Sequence, residues 1–310
     1  MPRSNPFDYF FILRPLILIP SWNFLLIGSY FGAGQGRFTY DITLGLIIYT
    51  MAAGGVYILN QIMDVDTDRV NEKLFLISGS FVRTRAAYIE MAILWAGAIF
   101  LSIRFGWLFS VLVIASILLG TLYSVPPFKF KGKPIIDTLA NGVGYGIINF
   151  AIGWLLVKEF DFHILARFLP YFLSICAVFI NTTIVDIDGD RKTGDLTTGV
   201  FLGPTLSHVI STLLMAGAIV AAYIRRDYIC LIPAVLSWPL FLFAAVHALS
   251  ASTVHRKVTI ASFRLPGLLF TIVTGVLYPL YFAALIVLFV GMRVYYRRRF
   301  NVNYPTLYGG

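Results

Sequence analysis

The sequence predicts an all-α, polytopic membrane protein, with nine transmembrane helices in a pseudo-repeated bundle around a central cavity. Three observations predict it. Apolar runs long enough to cross the hydrocarbon, for which about 20 residues suffice, recur along the whole chain. Only 13% of the residues are charged against 58% hydrophobic, with a mean hydropathy of +0.82, and a soluble fold so apolar would lack the polar surface to stay in solution. Finally, the acidic stretch DVDTDR, Asp64 to Arg69, returns as DIDGDR, Asp186 to Arg191, at the same place four helices later.

On length alone, 310 residues would make two soluble domains. The apolar runs instead give one domain, 1–310, with pseudo-repeats over about 12–124 and 137–248 and a ninth helix at 266–292. The first span, 12–33, is entered through Arg14 and Pro15. It serves as the insertion signal, because MPRSNPFDYF lacks a signal peptide's short apolar stretch and small-residue cleavage site. The second, 41–64, ends on the first acidic stretch. A short turn separates the third, 86–104, from the fourth, 107–124, and Pro126 and Pro127 stop the fourth abruptly. The fifth is 137–157, and the sixth, 164–186, ends on the second acidic stretch. Spans at 203–223, 228–248 and 266–292 follow, with boundaries set to within several residues.

Four longer polar stretches, 65–85, 125–136, 187–202 and 249–265, all follow even-numbered spans and so share one face. That face collects most of the Lys and Arg, among them Arg14, Arg69, Lys129, Lys131, Lys133, Arg191 and Arg256. The positive-inside rule therefore puts it in the cytoplasm, in the cell membrane. Nine spans leave the basic tail, Arg293 and Arg297 to Arg299, on the other side. Eight or ten spans would restore it, but no run offers itself for deletion or division. The net charge of +9 fits anionic headgroups, an anionic substrate or ordinary membrane-flank charge, and no nucleic-acid partner is expected. Cys176 and Cys230 lie in apolar helical text, as buried small hydrophobes rather than a disulfide or metal pair.

The acidic stretches carry the chemistry. Asn60, Asp64 and Asp68 are spaced i, i+4, i+8 and share a helix face. Asp186 and Asp190 repeat the spacing, with Thr182 in the register of Asn60. Stacked carboxylates repel unless something positive binds them, and a hard divalent cation with oxygen ligands is the natural counter-charge; Mg²⁺ uses one or two carboxylates and completes its shell with water and phosphate oxygens. Plain helix-end solvation with pairing to Arg69 and Arg191 is the simpler alternative. An EF-hand fails, because its sixth position would need Gly and its twelfth Glu, and here they are Arg69 with Phe75 and Arg191 with Thr197. Between the two copies lies LYSVPPFKFKGKP, with Lys129, Lys131 and Lys133 on alternate positions as point charges suited to a phosphate, or as simple anchoring charge.

Together these residues resemble the UbiA superfamily of intramembrane prenyltransferases. Its N-x-x-x-D-x-x-x-D motif is matched by Asn60, Asp64 and Asp68, and its D-x-x-x-D motif by Asp186 and Asp190. The second is followed by a family-like G-D-R-x-x-G-x-x-T at Gly189, Asp190, Arg191, Gly194 and Thr197. The Y-x-x-P-P-x-x-x-K loop is matched by Tyr123, Pro126, Pro127 and Lys131, and the Arg-Pro entry by Arg14 and Pro15. The chain departs at FLISGS, where many members have R-P-I-P-S-G, and at Thr183, where many carry an acid. The resemblance implies an isoprenoid diphosphate donor, geranyl to geranylgeranyl or longer, and an aromatic or glycerol-lipid acceptor within the membrane lipid. It implies two Mg²⁺ ions held by Asn60, Asp64 and Asp68 and by Asp186 and Asp190, with Arg14, Arg69, Ser124, Lys129, Lys131 and Arg191 binding substrate and Tyr123 facing a carbocation. The active site would open near the cytoplasmic face. A divalent-cation transporter is the alternative, but it would want its acids near the midplane on broken helices, whereas these lie at helix ends.

Overall fold

The computed structural model describes residues 5–65, 76–251 and 253–304. A short helix, α1 (Pro6–Phe11), closed by a capping box between Asn5 and Asp8, turns into α2 (Pro15–Ala33). Helix α3 (Tyr40–Met63) is capped by the Thr39 side chain. After it come α4 (Thr84–Ser102), extended by a 3-10 turn, and α5 (Trp107–Ser124). A continuous helical passage follows, built of α6 (Ile136–Asn141), a π-helix (Gly142–Asn149) and α7 (Phe150–Leu155). Then come α8 (His163–Arg167), α9 (Leu169–Thr193), α10 (Thr198–Ile224), α11 (Tyr228–Ala251), α12 (Arg256–Leu277) and α13 (Pro279–Phe300).

Among the described residues, nine helices are long and apolar enough to cross a membrane, as the fold class required. They are not one-for-one the expected runs. The fifth run is present as the passage 136–155, but in three pieces, none of which is of spanning length alone. The last run, 266–292, divides at Tyr278–Pro279, where Tyr278 leaves the helical region (φ −131, ψ 79). A proline disfavours helical geometry in the residue before it.

The division reverses the chain. Thr259 meets His208 early in α12, Thr271 meets Asn23 further on, and the carbonyl of Leu277 lies against Gly36 at its end. Helix α13 then runs back along α2. At the turn into it the Tyr278 hydroxyl bonds Ser29 (2.8 Å), and along it Tyr281 bonds Asn23 (2.7 Å) and Tyr295 and Arg299 reach Asp8. The basic tail therefore returns to the end of the bundle that holds the N-terminal segment, and the charge asymmetry that nine unbroken runs left unresolved disappears.

Asp8 is fully buried, and its carboxylate takes Asn5 N–H, the Tyr295 hydroxyl and the Arg299 guanidinium. Removing one partner of a buried pair leaves the other charge uncompensated, at a cost of about 3–5 kcal/mol. Arg299→Met is therefore expected to lower the thermal unfolding midpoint of the detergent-solubilised protein clearly, and Asp8→Asn with Arg299→Met to recover part of the loss. An unchanged midpoint in the single variant would show that this pair does not anchor α13.

Packing also fixes the passage 136–155 against α2. A Cβ at Gly28 would stand 2.0 Å from the Phe150 carbonyl oxygen, and one at Gly153 1.8 Å from that of Leu25. Only backbone-to-backbone approach is possible there, so α2 and α7 sit at minimum separation and the wider π segment faces the space beside them.

Candidate active site

That space is a cavity of about 230 Å³, walled by α2, α3, α5 and the passage 136–155. It is lopsided. Three walls come from the first repeat and one from the start of the second, and α9, which carries the second aspartate motif, does not line it. Its upper layer holds Arg14, Asn60, Tyr123, Ser124 and Asn141. Below these, Tyr57 and Tyr145 share a hydrogen bond between their hydroxyls (2.8 Å), and Tyr57 also reaches the Ile17 carbonyl (3.1 Å). Lower still, Tyr49 bonds Ser116 (2.9 Å) beside Ala53 and Asn149.

The mouth is built from strained and closely held backbone. Arg14 stands between α1 and α2 in the left-handed region (φ 54), with Pro15 taking the first helical position and Gln61 bonding the Ile12 carbonyl (2.8 Å) to hold the turn. Lys129 (φ 34) and Ile135 (φ 68) are also left-handed, one near each end of the lysine loop. Such residues cost of the order of 1–3 kcal/mol each and persist only where surrounding bonds fix them. For Ile135 the fixing bond is its N–H to the Thr198 hydroxyl (2.7 Å); Thr198 in turn gives its N–H (2.8 Å) and hydroxyl to buried Asp137. Leu196 N–H also bonds the Gly132 carbonyl (3.2 Å).

The lysine loop is thereby locked onto the α9–α10 turn, and its lysines reach the first acidic stretch on one side and the turn that follows the second on the other. Lys131 Nζ lies 2.5 Å from Asp64, and Lys129 Nζ lies 2.5 Å from Asp195, five residues past Asp190. Asp64 is the C-cap of α3, its N–H bonding the Asn60 carbonyl (3.0 Å), and Asn60 Nδ2 approaches Ser124 Oγ (3.3 Å).

The second copy differs from the expectation that both acidic stretches end a span. Helix α9 runs on to Thr193, so Asp186 and Asp190 stand on unbroken helix. Gly194 (φ 77) then ends it by returning N–H groups to the last turn, and Thr197 gives its hydroxyl to Asp190 (2.8 Å). The G-x-x-T spacing is thus the closing of that turn on its own aspartate.

The structure brings Asn60, Asp64, Tyr123, Ser124, Lys131 and Arg14 to one mouth. Asp190 and Lys129 are tied to it through the Asp195 turn, while Asp186 and Arg191 are exposed on α9. Asp68 and Arg69 lie outside the described residues. Among the described residues, no three His, Cys, Asp or Glu side chains converge to form a metal site by themselves. The donor set present, two separate groups of one or two carboxylates with a carboxamide in the first, suits a hard cation that takes its remaining oxygens from water and phosphate. Sequence reasoning missed Asp195, Asp137 and the tyrosines at 49, 57 and 145. Asp195 had a signal, since it follows the second motif inside a recognised turn; the tyrosines are scattered through apolar text and gave none.

Residues 21–264 match the model of the UbiA prenyltransferase family. The chain is 32% identical over 206 residues, 63% of its length and 46% of the relative's, to 2-acylphloroglucinol 4-prenyltransferase of Humulus lupulus. It is 23% identical over 211 residues, 68% of its length and 72% of the relative's, to digeranylgeranylglyceryl phosphate synthase of Methanothermobacter thermautotrophicus. The chain spans about half the length of the hop relatives it matches. Its fold is similar to that of a UbiA homologue from Archaeoglobus fulgidus bound to GPP and Mg²⁺, with a TM-score of 0.67, 20% identity, and coverage of 87% of this chain and 99% of that one.

Proposed function

Since this chain belongs to the UbiA prenyltransferase family and is an integral membrane protein, we propose that it transfers a prenyl group from an isoprenoid diphosphate to an aromatic or lipid-hydroxyl acceptor within the bilayer. One observation carries this reading: a single lysine loop that contacts Asp64 on one side and the Asp190–Asp195 turn on the other, at the mouth of a cavity lined with tyrosines.

The diphosphate is taken at the mouth. Asp64 with Asn60, joined by Asp68, and Asp190 with Asp186 are the groups to hold two Mg²⁺ ions. Bound there, the metal would neutralise the diphosphate and stabilise charge on it as it leaves. Lys131 and Lys129 belong to the same loop and add positive charge where it develops, as does Arg14 at the rim. The prenyl chain descends between α2, α3, α5 and the π segment. Tyr123, Tyr57 and Tyr145 line its path, and their π faces favour positive charge on the allylic carbon once its bond to the diphosphate oxygen breaks. The apolar bundle keeps water from quenching that cation before the acceptor's nucleophilic atom reaches it. The chain reads as one domain with two repeats, each delivering an aspartate motif to the same face. A transporter has no support here, because Asp64 caps α3 and Asp190 lies in the last turn of α9, away from any helix break in the middle of the bundle.

The reaction is tested by incubating membranes with labelled allylic diphosphates, Mg²⁺ and a panel of phenolic and glycerol-lipid acceptors. Release of diphosphate with a prenylated product supports the reading, and its absence with every donor overturns it. The orientation is tested separately. We place the lysine loop in the cytoplasm, so a cysteine at Phe128, half exposed in that loop, is expected to react with an impermeant thiol reagent only from the inner face, in a background with Cys176 and Cys230 replaced. Gly132 is unsuitable, since a Cβ there would stand 2.6 Å from Asp195 Oδ1. Labelling of Phe128→Cys from outside would invert the topology.

A further inference from the structure

We propose that the cavity measures the donor and admits only a short one, of one or two isoprene units, because its lower end is shut and polar. This rests on the prenyltransferase reading and extends it to the length of the chain transferred.

Two contacts close the lower end. From Asn60 at the mouth to Tyr49 is a drop of about 16 Å along α3, and from Ser124 to Ser116 one of about 12 Å along α5, at about 1.5 Å per residue. At that depth the Tyr49–Ser116 hydrogen bond ties the two helices across the space. One turn lower, Gly45 receives Leu156 so closely that a Cβ would meet its Cδ1 at 2.4 Å, so no passage continues between α3 and the end of α7.

The floor is also the wrong surface for a hydrocarbon terminus. Asn149 is 1% exposed, lines the cavity, and neither its amide nitrogen nor its amide oxygen has a hydrogen-bond partner. A buried amide in a bilayer-spanning bundle is stabilised by water or by a ligand oxygen; the dimethyl end of a prenyl chain offers neither. A longer tail would strip such partners from Asn149 and from the Tyr49–Ser116 pair at once.

The volume agrees. A cavity of about 150 Å³ accepts benzene, six carbons, so in proportion about 230 Å³ takes roughly nine. That comes within about one carbon of a geranyl chain and falls well short of a farnesyl chain.

The test needs no acceptor. Affinities of the whole protein for thio-substituted, non-ionising dimethylallyl, geranyl, farnesyl and geranylgeranyl diphosphates are measured with Mg²⁺. Apolar burial alone makes each added unit bind more tightly. The ruler instead predicts that affinity rises to geranyl and then falls at least tenfold at farnesyl and geranylgeranyl. Ala53→Leu, which fills the lower end, is expected to weaken geranyl at least tenfold more than dimethylallyl, and Asn149→Ala to recover farnesyl relative to geranyl. Affinity that keeps rising through geranylgeranyl, or an Ala53→Leu protein that treats all four alike, overturns the ruler while leaving the donor site in place. No binding by any of the four removes the donor site itself, and the ruler with it.

Discussion

Asp64→Asn and Asp190→Asn are each expected to lower diphosphate release by on the order of a thousandfold, about 4 kcal/mol at 1.36 kcal/mol per tenfold, without unfolding the protein. Asparagine keeps the size and one oxygen of each side chain, so the C-cap of α3 and the Thr197 contact at Asp190 both survive. What is lost is the negative charge that would hold a cation against the diphosphate. Because the two acids approach the mouth from different elements, neither can stand in for the other, and each single change should act alone. Asp195→Asn serves as the comparison. Asp195 pairs with Lys129 and shapes the turn, and its loss should cost far less than that of either motif residue. Full activity in Asp64→Asn or in Asp190→Asn, with an unchanged melting profile, would sink the model of two metal handles.

Much of this site is legible in the sequence because it is built from local spacing. Asn60 and Asp64 lie one turn apart on α3, and Asp186 and Asp190 one turn apart on α9, whatever the rest of the bundle does. The proline pair after α5 likewise announced where the lysine loop begins. Three other features escaped for physical reasons. Hydropathy records how apolar a run is but not its direction, so a run of spanning length concealed the reversal at Tyr278–Pro279, and only the proline marked it. The polarity of the cavity is assembled from single residues on four helices, Tyr49, Ser116, Tyr145 and Asn149 among them; each alone is an ordinary polar residue in apolar text, and only packing turns them to one space. The partners of the lysines were also ambiguous. Alternate positions suit a phosphate, yet where Lys129 rests depends on the α9–α10 turn folding back over the loop through Asp137 and Thr198, contacts distant in sequence.

Donor affinity is expected to depend on divalent metal, with binding of a thio-substituted geranyl diphosphate falling at least a hundredfold when EDTA replaces Mg²⁺. The charges require it. Asp64 and Asp190, with Asp186 on the same motif as Asp190, would present carboxylates to a diphosphate that carries about three negative charges. At a separation near 4 Å, one like-charge contact costs roughly 4 kcal/mol at an effective dielectric of 20. Against this stand Lys131 and Lys129, but both are held 2.5 Å from carboxylates of their own, so their charge is already partly spent within the protein. Arg14 adds one more positive charge at the rim. Local cations therefore do not outweigh acids plus diphosphate, and divalent cations held by the aspartates would turn these groups from repelling the donor to holding it. Lys131 then exchanges Asp64 for a phosphate oxygen, which predicts that Lys131→Ala weakens donor binding in Mg²⁺ and has little left to remove in EDTA. Calorimetric titration of the wild type and of Lys131→Ala, each with Mg²⁺ and with EDTA, measures all four affinities. Equal affinity of the wild type in both conditions would mean that the aspartates do not act through metal. Tight metal binding indifferent to the prenyl diphosphate would be the behaviour of a cation carrier instead.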